Sequence, residues 1–223
     1  MSGIVVADDW IGRLPPPLRQ EVDSRVTIRS ISAGDEFARA GSAARAVFRV
    51  RSGFLKQTGL QENGERTLLT IYAAGACFAE TAVVAGLPLN HTTIALTDSV
   101  VECLASSDFW DLYDTHRDFP DALCLKFAQS IRRQVADREH RASSRLGARI
   151  AVLFADLART TGVAEPDGRH FVTLPITQSD VAQHLGVTRQ SVQREMATFK
   201  RDGSIVGRSG GWLINLGRLP TTQ

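Results

Sequence analysis

From Val26 to Leu104 apolar and polar residues alternate in short runs: VTIRSI, VFRVRS, RTLLTIY, TTIAL and SVVECL. Glycine-bearing turns near Gly34, Gly41, Gly53, Gly64 and Gly75 separate them. A period of two predicts strands, and many short strands at a spacing of about ten residues predict an antiparallel barrel or roll. Asn63-Gly64 lies between QTGLQ and RTLLTIY and signals a hairpin, because both residues tolerate positive φ. Ahead of the strands, residues 10–23 read as a short helix broken by Pro15–Pro17.

At residue 107 the period changes. SDFWDLYDTH has helical spacing, with Phe109, Trp110 and Tyr113 as its apolar side. From Asp121 to Leu146 no Pro or Gly occurs, and Pro120 suits the first turn of a helix, where its missing N–H is harmless. Along this stretch Cys124, Ala128, Ile131 and Val135 fall at steps of +4, +3 and +4, and Ala142 follows seven residues later. That is the narrow seam of a coiled coil. Leu123 and Phe127 form a second apolar stripe, suited to packing on the β module. Two stripes need two covering surfaces, so the pattern predicts a dimer helix; the plainer alternative is one buried helix of a monomer. Residues 146–160 read as another amphipathic helix, TGVAEPDGRH as a turn-rich connection and FVTLPI as a short strand.

The segment TQSDVAQHLGVTRQSVQREMATFK, Thr177–Lys200, carries the most specific signal. Thr177 with Asp180 three residues on resembles a capping box. A first helix over Gln178–Leu185 would face Val181, Ala182 and Leu185 inward, and Gly186 would end it in the left-handed region. Thr188 would cap a second helix whose buried side is Val192, Met196 and Phe199, at i, i+4 and i+7. Arg189, Gln190, Gln193 and Arg194 fall on the opposite side. Small Ala182 lets two helices cross closely, so the pattern is a helix-turn-helix, and its outward arginines and glutamines suit DNA. SIVGR and WLIN, flanking Ser209-Gly210-Gly211, read as a hairpin wing from which Arg208 can reach a phosphate.

Composition adds a division of labour. The chain has 223 residues, 43% apolar and 22% charged, which excludes disordered and fibrous classes. Residues 1–118 carry 11 Lys and Arg against 15 Asp and Glu, a net of −4. Residues 119–143 carry 5 against 3, a net of +2, and residues 144–223 carry 10 against 6, a net of +4. An acidic front and a basic rear fit two roles, the rear one on a polyanion. MSGIVVADDW lacks the features of a secretory signal, and no window is a membrane span, so the expected location is cytoplasmic with no membrane partner. Cys77, Cys103 and Cys124 have neither disulfide nor metal spacing and read as small core residues.

A roll, a long helix and a winged helix-turn-helix, in this order, resemble the Crp/Fnr superfamily of bacterial transcription regulators over residues 25–216. Glycines 41, 53, 64 and 75 sit where that family's roll turns, and GVTRQSVQREM is similar to its recognition helix. The resemblance implies an α+β fold: an antiparallel β-roll (cyclic-nucleotide-binding-like, a double-stranded β-helix) over residues 1–118, a dimerisation helix over 119–145 and a winged helix-turn-helix over 146–223. It also implies a homodimer on an inverted-repeat operator in double-stranded DNA, with RNA polymerase as a further partner.

Residue by residue, Arg189 and Arg194 match the family's base-contacting arginines, and arginine suits the O6/N7 edge of guanine. Thr177, Gln178, Thr188, Ser191, Gln193 and Arg208 complete the expected DNA contacts. Gln190 stands where the cyclic-AMP-responsive branch has Glu. Glutamine pairs with adenine where glutamate accepts from cytosine, so a modified half-site is expected. In the sensory stretch the family's Gly-Glu becomes Ala79-Glu80, its phosphate-binding Arg-Ser falls on Asn90-His91, and its purine-touching Thr-Ser falls on Asp137-Arg138. A buried phosphate without its arginine loses its charge partner, so these departures argue against cyclic AMP. Glu80, Asn90, His91, Asp137 and Arg138 are the positions for an unknown effector, if there is one. No cofactor is predicted. A haem sensor would have to use His91 or Cys77, and neither sits in a ligand pattern.

The reading from another class is a cupin-like enzyme. That chemistry needs clustered metal ligands, and only His91 falls in the roll; no HxH, HExxH, nucleophile elbow or P-loop occurs, so the chain is read as a non-enzyme.

Overall fold

The prolines near the N-terminus start a helix rather than break one. The computed structural model describes residues 4–60, 66–143 and 145–220, with residues 60, 66 and 137–143 described by their backbone alone. Strand β1 (Val5–Val6) leads through turns to helix α1 (Pro16–Arg25), whose first two residues are prolines and whose N-cap is Pro15. A first-turn proline gives up an N–H that has no helical partner and presets φ. The interrupted helix expected over 10–23 is thereby corrected. Strands β2 (Thr27–Ile31), β3 (Glu36–Ala38), β4 (Ala46–Ser52), β5 (Leu55–Leu60), β6 (Arg66–Tyr72) and β7 (Cys77–Phe78) follow. A short helix α2 (Glu80–Ala85), absent from the period reading, precedes β8 (Thr92–Ala95) and β9 (Ser99–Ala105). Six residues give the 3.6 period too little length to register.

Two sheets build the roll. One has the order β1-β6-β5-β8-β3 and the other β2-β9-β4-β7. Among the described residues the strand pairs of the roll are antiparallel, as in Phe48↔Cys103 and Val50↔Val101 between β4 and β9. Asn63-Gly64 lies outside the described residues. The pleat divides β4 cleanly. Phe48 and Val50 join an interior cluster with Phe37, Leu55, Tyr72, Phe78 and Val101, whereas Val47 joins a second cluster behind the sheet. Inside, Tyr72 stacks on Phe78 at 4.6 Å, and Phe37 and Phe48 meet edge to face at 5.0 Å. Aromatic rings of this size fill space between two sheets and add geometric specificity. At the β4–β5 turn Gly53 has φ of 84°, and a Cβ there would lie 2.5 Å from the carbonyl oxygen of Asp98.

Behind the second sheet α1, α3 (Ser106–Thr115) and the start of α4 (Asp118–Ser143) close the other cluster. In α3 the buried residues are Phe109 and Leu112, while Trp110 is exposed. The expected apolar side of α3 was thus rotated by one position: Leu112, at i+3 from Phe109, takes the inward place given to Trp110. Helix α4 begins as expected, with Pro120 in its first turn, and it buries Phe119 and Leu123 with Phe127 packed beside them. The compact unit containing the roll takes in Val6–Arg66 and Thr70–Arg132, and a second is formed chiefly by Arg133–Gln223.

The second unit holds α5 (Leu146–Thr161), β10 (Val163–Ala164), β11 (His170–Val172), α6 (Gln178–Leu185), α7 (Arg189–Asp202), β12 (Ile205–Arg208) and β13 (Gly211–Ile214). Helix α5 buries Ile150, Leu153, Phe154 and Leu157, the stripe of an amphipathic helix. The strands form one sheet in the order β10-β11-β13-β12. Arg208 pairs with Gly211, so the wing turn is the two residues Ser209-Gly210, with Gly210 at φ of 81°. Gly211 therefore belongs to the strand and not to the turn. A Cβ there would lie 2.1 Å from the carbonyl oxygen of Val172, so no larger residue fits without movement. Among the described residues no helix is long and apolar enough to cross a membrane.

Candidate nucleic-acid interface

Local chemistry sets both ends of the helix pair. Thr177 caps α6: its side chain accepts from the Asp180 amide at 3.1 Å, and the Asp180 carboxylate accepts from the Thr177 amide at 2.8 Å. Both halves of the expected capping box are present, and they satisfy two amides that a helix start otherwise leaves open. Gly186 ends α6 at φ of 67°, and the amide of Val187 returns to the carbonyl of Ala182 at 3.0 Å. Thr188 then caps α7, accepting from the Ser191 amide at 3.2 Å. Both helices bury the residues that the spacing predicts: Val181, Ala182 and Leu185 in α6, and Val192, Met196 and Phe199 in α7.

With that face buried, Arg189, Gln190, Gln193 and Arg194 stand exposed on the other side of α7. Among the described residues no hydrogen bond or ion pair engages these four side chains. Thr177 and Thr188 are exposed, and Gln178 and Ser191 are half-buried at the two helix starts. Arg208 is held differently. Its guanidinium lies 5.3 Å from the Phe171 ring centroid and 3.6 Å from Glu165 Oε1. Neither partner is legible in the local sequence around Arg208. They come from β11 and from the segment between β10 and β11, which the sheet order places across β13 from β12. The aromatic face and the carboxylate steer a side chain that is still largely exposed.

The expected effector positions do not converge in the same way. Glu80 is buried at the start of α2, and its Oε1 accepts from Trp10 Nε1 at 2.8 Å and forms an ion pair with Lys126 Nζ at 2.7 Å. Its carboxylate is thus committed to groups of this chain. Nothing in the spacing of residues 10, 80 and 126 signals that meeting. Asn90 is exposed and His91 half-buried just before β8, where burial lowers the pKa of the imidazole. The side chains of Asp137 and Arg138 lie outside the described residues. Ala79 adopts φ of 75°, the left-handed region, and among the described residues no other non-glycine does so. It keeps the backbone that a glycine would supply, at a steric cost.

On α4, Cys124, Ala128, Ile131 and Val135 are all exposed, with Ile131 62% and Val135 51% accessible. The side chain of Ala142 lies outside the described residues. The exposure of Cys124 corrects its reading as a core residue and leaves it on the exposed stripe of α4. Cys77 and Cys103 are buried. Burial pushes both thiols up, with Glu80 adding to the effect at Cys77, so neither has the lowered pKa of a reactive thiol. Among the described residues no group of three or more His, Cys, Asp or Glu is arranged to hold a metal ion.

Two family models match the chain in succession: a cyclic nucleotide-binding domain over residues 28–116 and a Crp-like helix-turn-helix domain over residues 148–219. Among curated proteins no sequence match is significant. Solved structures share the fold. FixK2 from Bradyrhizobium japonicum is 18% identical, covering 89% of this chain and 98% of its own, with a TM-score of 0.73. A CRP/FNR-family transcriptional regulator from Thermus thermophilus is 23% identical, covering 86% and 96%, with a TM-score of 0.71. The c-di-GMP responsive global regulator CLP of Xanthomonas campestris is 14% identical, covering 90% and 99%, with a TM-score of 0.74.

Proposed function

The chain belongs to the Crp/Fnr superfamily of transcription regulators, with a helix-turn-helix DNA-binding domain, and from that premise we propose how it reads and engages its operator. Helix α7 enters the major groove. Arg189 and Arg194 contact base edges, with Gln190 and Gln193 beside them. Thr177, Gln178, Thr188 and Ser191 lie at the two helix starts, where amides and hydroxyls meet phosphates, and Arg208 adds a phosphate contact from the wing. The observation that carries this reading is the exposed, internally unengaged set on α7, opposite the buried Val192, Met196 and Phe199. A polar face so composed is costly to no fold and useful to a nucleic acid.

A second copy covers the seam Cys124, Ala128, Ile131 and Val135. Two recognition helices in a two-fold dimer then read inverted half-sites one turn apart, roughly 34 Å. The effector is not cyclic AMP, or the regulator acts without one, since the carboxylate of Glu80 is already engaged by Trp10 and Lys126. RNA polymerase is the partner through which a bound dimer acts on transcription.

Selection of bound sequences from random duplex DNA tests the reading. The expected product is an inverted repeat, bound with an affinity that falls steeply as salt rises. Selection of no repeat, or binding insensitive to salt, overturns it.

A further inference from the structure

Helix α4 is apolar on more than one side. Phe119 and Leu123 are buried and Phe127 half-buried against the roll, while Cys124, Ala128, Ile131 and Val135 are exposed. One residue further round lie Leu125, Gln129, Arg132 and Ala136, also exposed. A helix turns by about 100° per residue, so a rotation of that size would exchange these two outer faces. It would also exchange one set of apolar residues for another against the roll. Hydrophobic packing is non-directional and discriminates weakly between such settings.

One contact discriminates strongly. Lys126 lies on the inward side of α4 with its side chain only 11% accessible, and that of Glu80 is 2% accessible. The two meet at 2.7 Å, and the same carboxylate oxygen accepts from Trp10 Nε1. Trp10 is fully buried and packs edge-on to Phe119 at 5.1 Å, in the first turn of α4. A single oxygen thus joins the N-terminal segment, α2 and α4. Turning α4 by one residue would separate the ammonium from the carboxylate and leave two buried charges unpaired, which is far costlier than an apolar mismatch. Buried polar contacts of this kind fix helix register in coiled coils.

We propose that the Glu80–Lys126 pair, held by Trp10, sets the rotation of α4 about its axis and thereby selects the Cys124, Ala128, Ile131 and Val135 face for the second copy. Lys126 and Trp10 are positioning residues: neither touches the second copy. The proposal rests on the homodimer reading given above.

The test is intermolecular disulfide formation in full-length protein carrying Cys124→Ser, with Ala128→Cys or Gln129→Cys as the reporter. With the pair intact, cysteine at 128 cross-links at least about tenfold faster than cysteine at 129, because only the seam faces its copy. Glu80→Gln with Lys126→Met removes both charges together, and the ratio between the two reporters is expected to fall to about threefold or less. An unchanged ratio in that variant overturns the proposal alone. A monomer in sedimentation, with neither reporter cross-linking in the otherwise unaltered protein, overturns the homodimer reading and the proposal with it. Should the double variant fail to fold, Trp10→Phe keeps an aromatic ring, though a smaller one, and removes the donor. A ratio reduced by Trp10→Phe supports the proposal, and an unchanged one overturns it.

Discussion

The roll and the helix-turn-helix treat their charged groups in opposite ways. In the roll several cations are engaged by neighbours. Arg49 is held by Glu102, Asp23 and Asp9, and Arg25 by Glu21, Asp111 and Asp108. Lys126 is held by Glu80. The neighbouring carboxylates raise the pKa of the Arg49 guanidinium against its burial. On α7 the arginines and glutamines face outward with no such engagement among the described residues. An ion pair that is buried and satisfied belongs to the structure, because removing one partner strands the other in a medium that solvates it poorly. An exposed, unengaged arginine contributes little to folding and retains its donors for another molecule. The contrast separates charge that shapes the fold from charge kept for a partner, a distinction that net charge alone does not make.

The largest expected effect comes from breaking the buried side of that contrast. Lys126→Ala leaves Glu80 buried beside Trp10 without a counter-charge and should destabilise the roll by about 3 kcal/mol, read as a lower thermal midpoint. A midpoint unchanged by this substitution would place the pair with ordinary surface bridges. On the exposed side, Arg194→Ala should leave the midpoint where it is and weaken operator binding by about 1–3 kcal/mol, with a smaller loss on random DNA. Equal losses on both DNAs would make Arg194 a phosphate contact.

Ala79→Gly relieves the left-handed alanine and should raise stability by about 1 kcal/mol, measured by urea unfolding. A loss would show that the methyl group packs well enough to outweigh the backbone strain.

The smallest expected effect is at His91. Burial lowers its pKa from 6.5, so the folded state binds protons less readily than the unfolded chain. Its contribution is fully present above the unfolded value and is lost as pH falls below about 6.5 toward the folded value. His91→Gln should therefore flatten the acid limb of the stability curve without changing the neutral plateau.

The regions differ in legibility for the same reason they differ in chemistry. The bounds of α6, Gln178–Leu185, and the start of α7 after Thr188 follow from capping and glycine signals within a few residues, so the sequence alone places them. The strands of the roll were visible by their period, and the sheet orders were not, because pairing joins residues far apart, as Arg29 and Val101 are. Position alone made Trp110 look inward and Pro15–Pro17 look disruptive. Packing buried Leu112 instead, and the first turn of α1 accommodated the prolines.

What the sequence determined by itself is whatever local backbone chemistry and helical period control: the helix-turn-helix, its buried triad of Val192, Met196 and Phe199, its outward arginines and the exposed apolar stripe along α4. What only the tertiary structure decided is where long-range partners meet. It assigned the carboxylate of Glu80 to Lys126 and Trp10, and it set Arg208 against Phe171 and Glu165. A buried charge is settled by whichever opposite group the fold carries to it, and nothing within one turn of helix or strand records which group that will be.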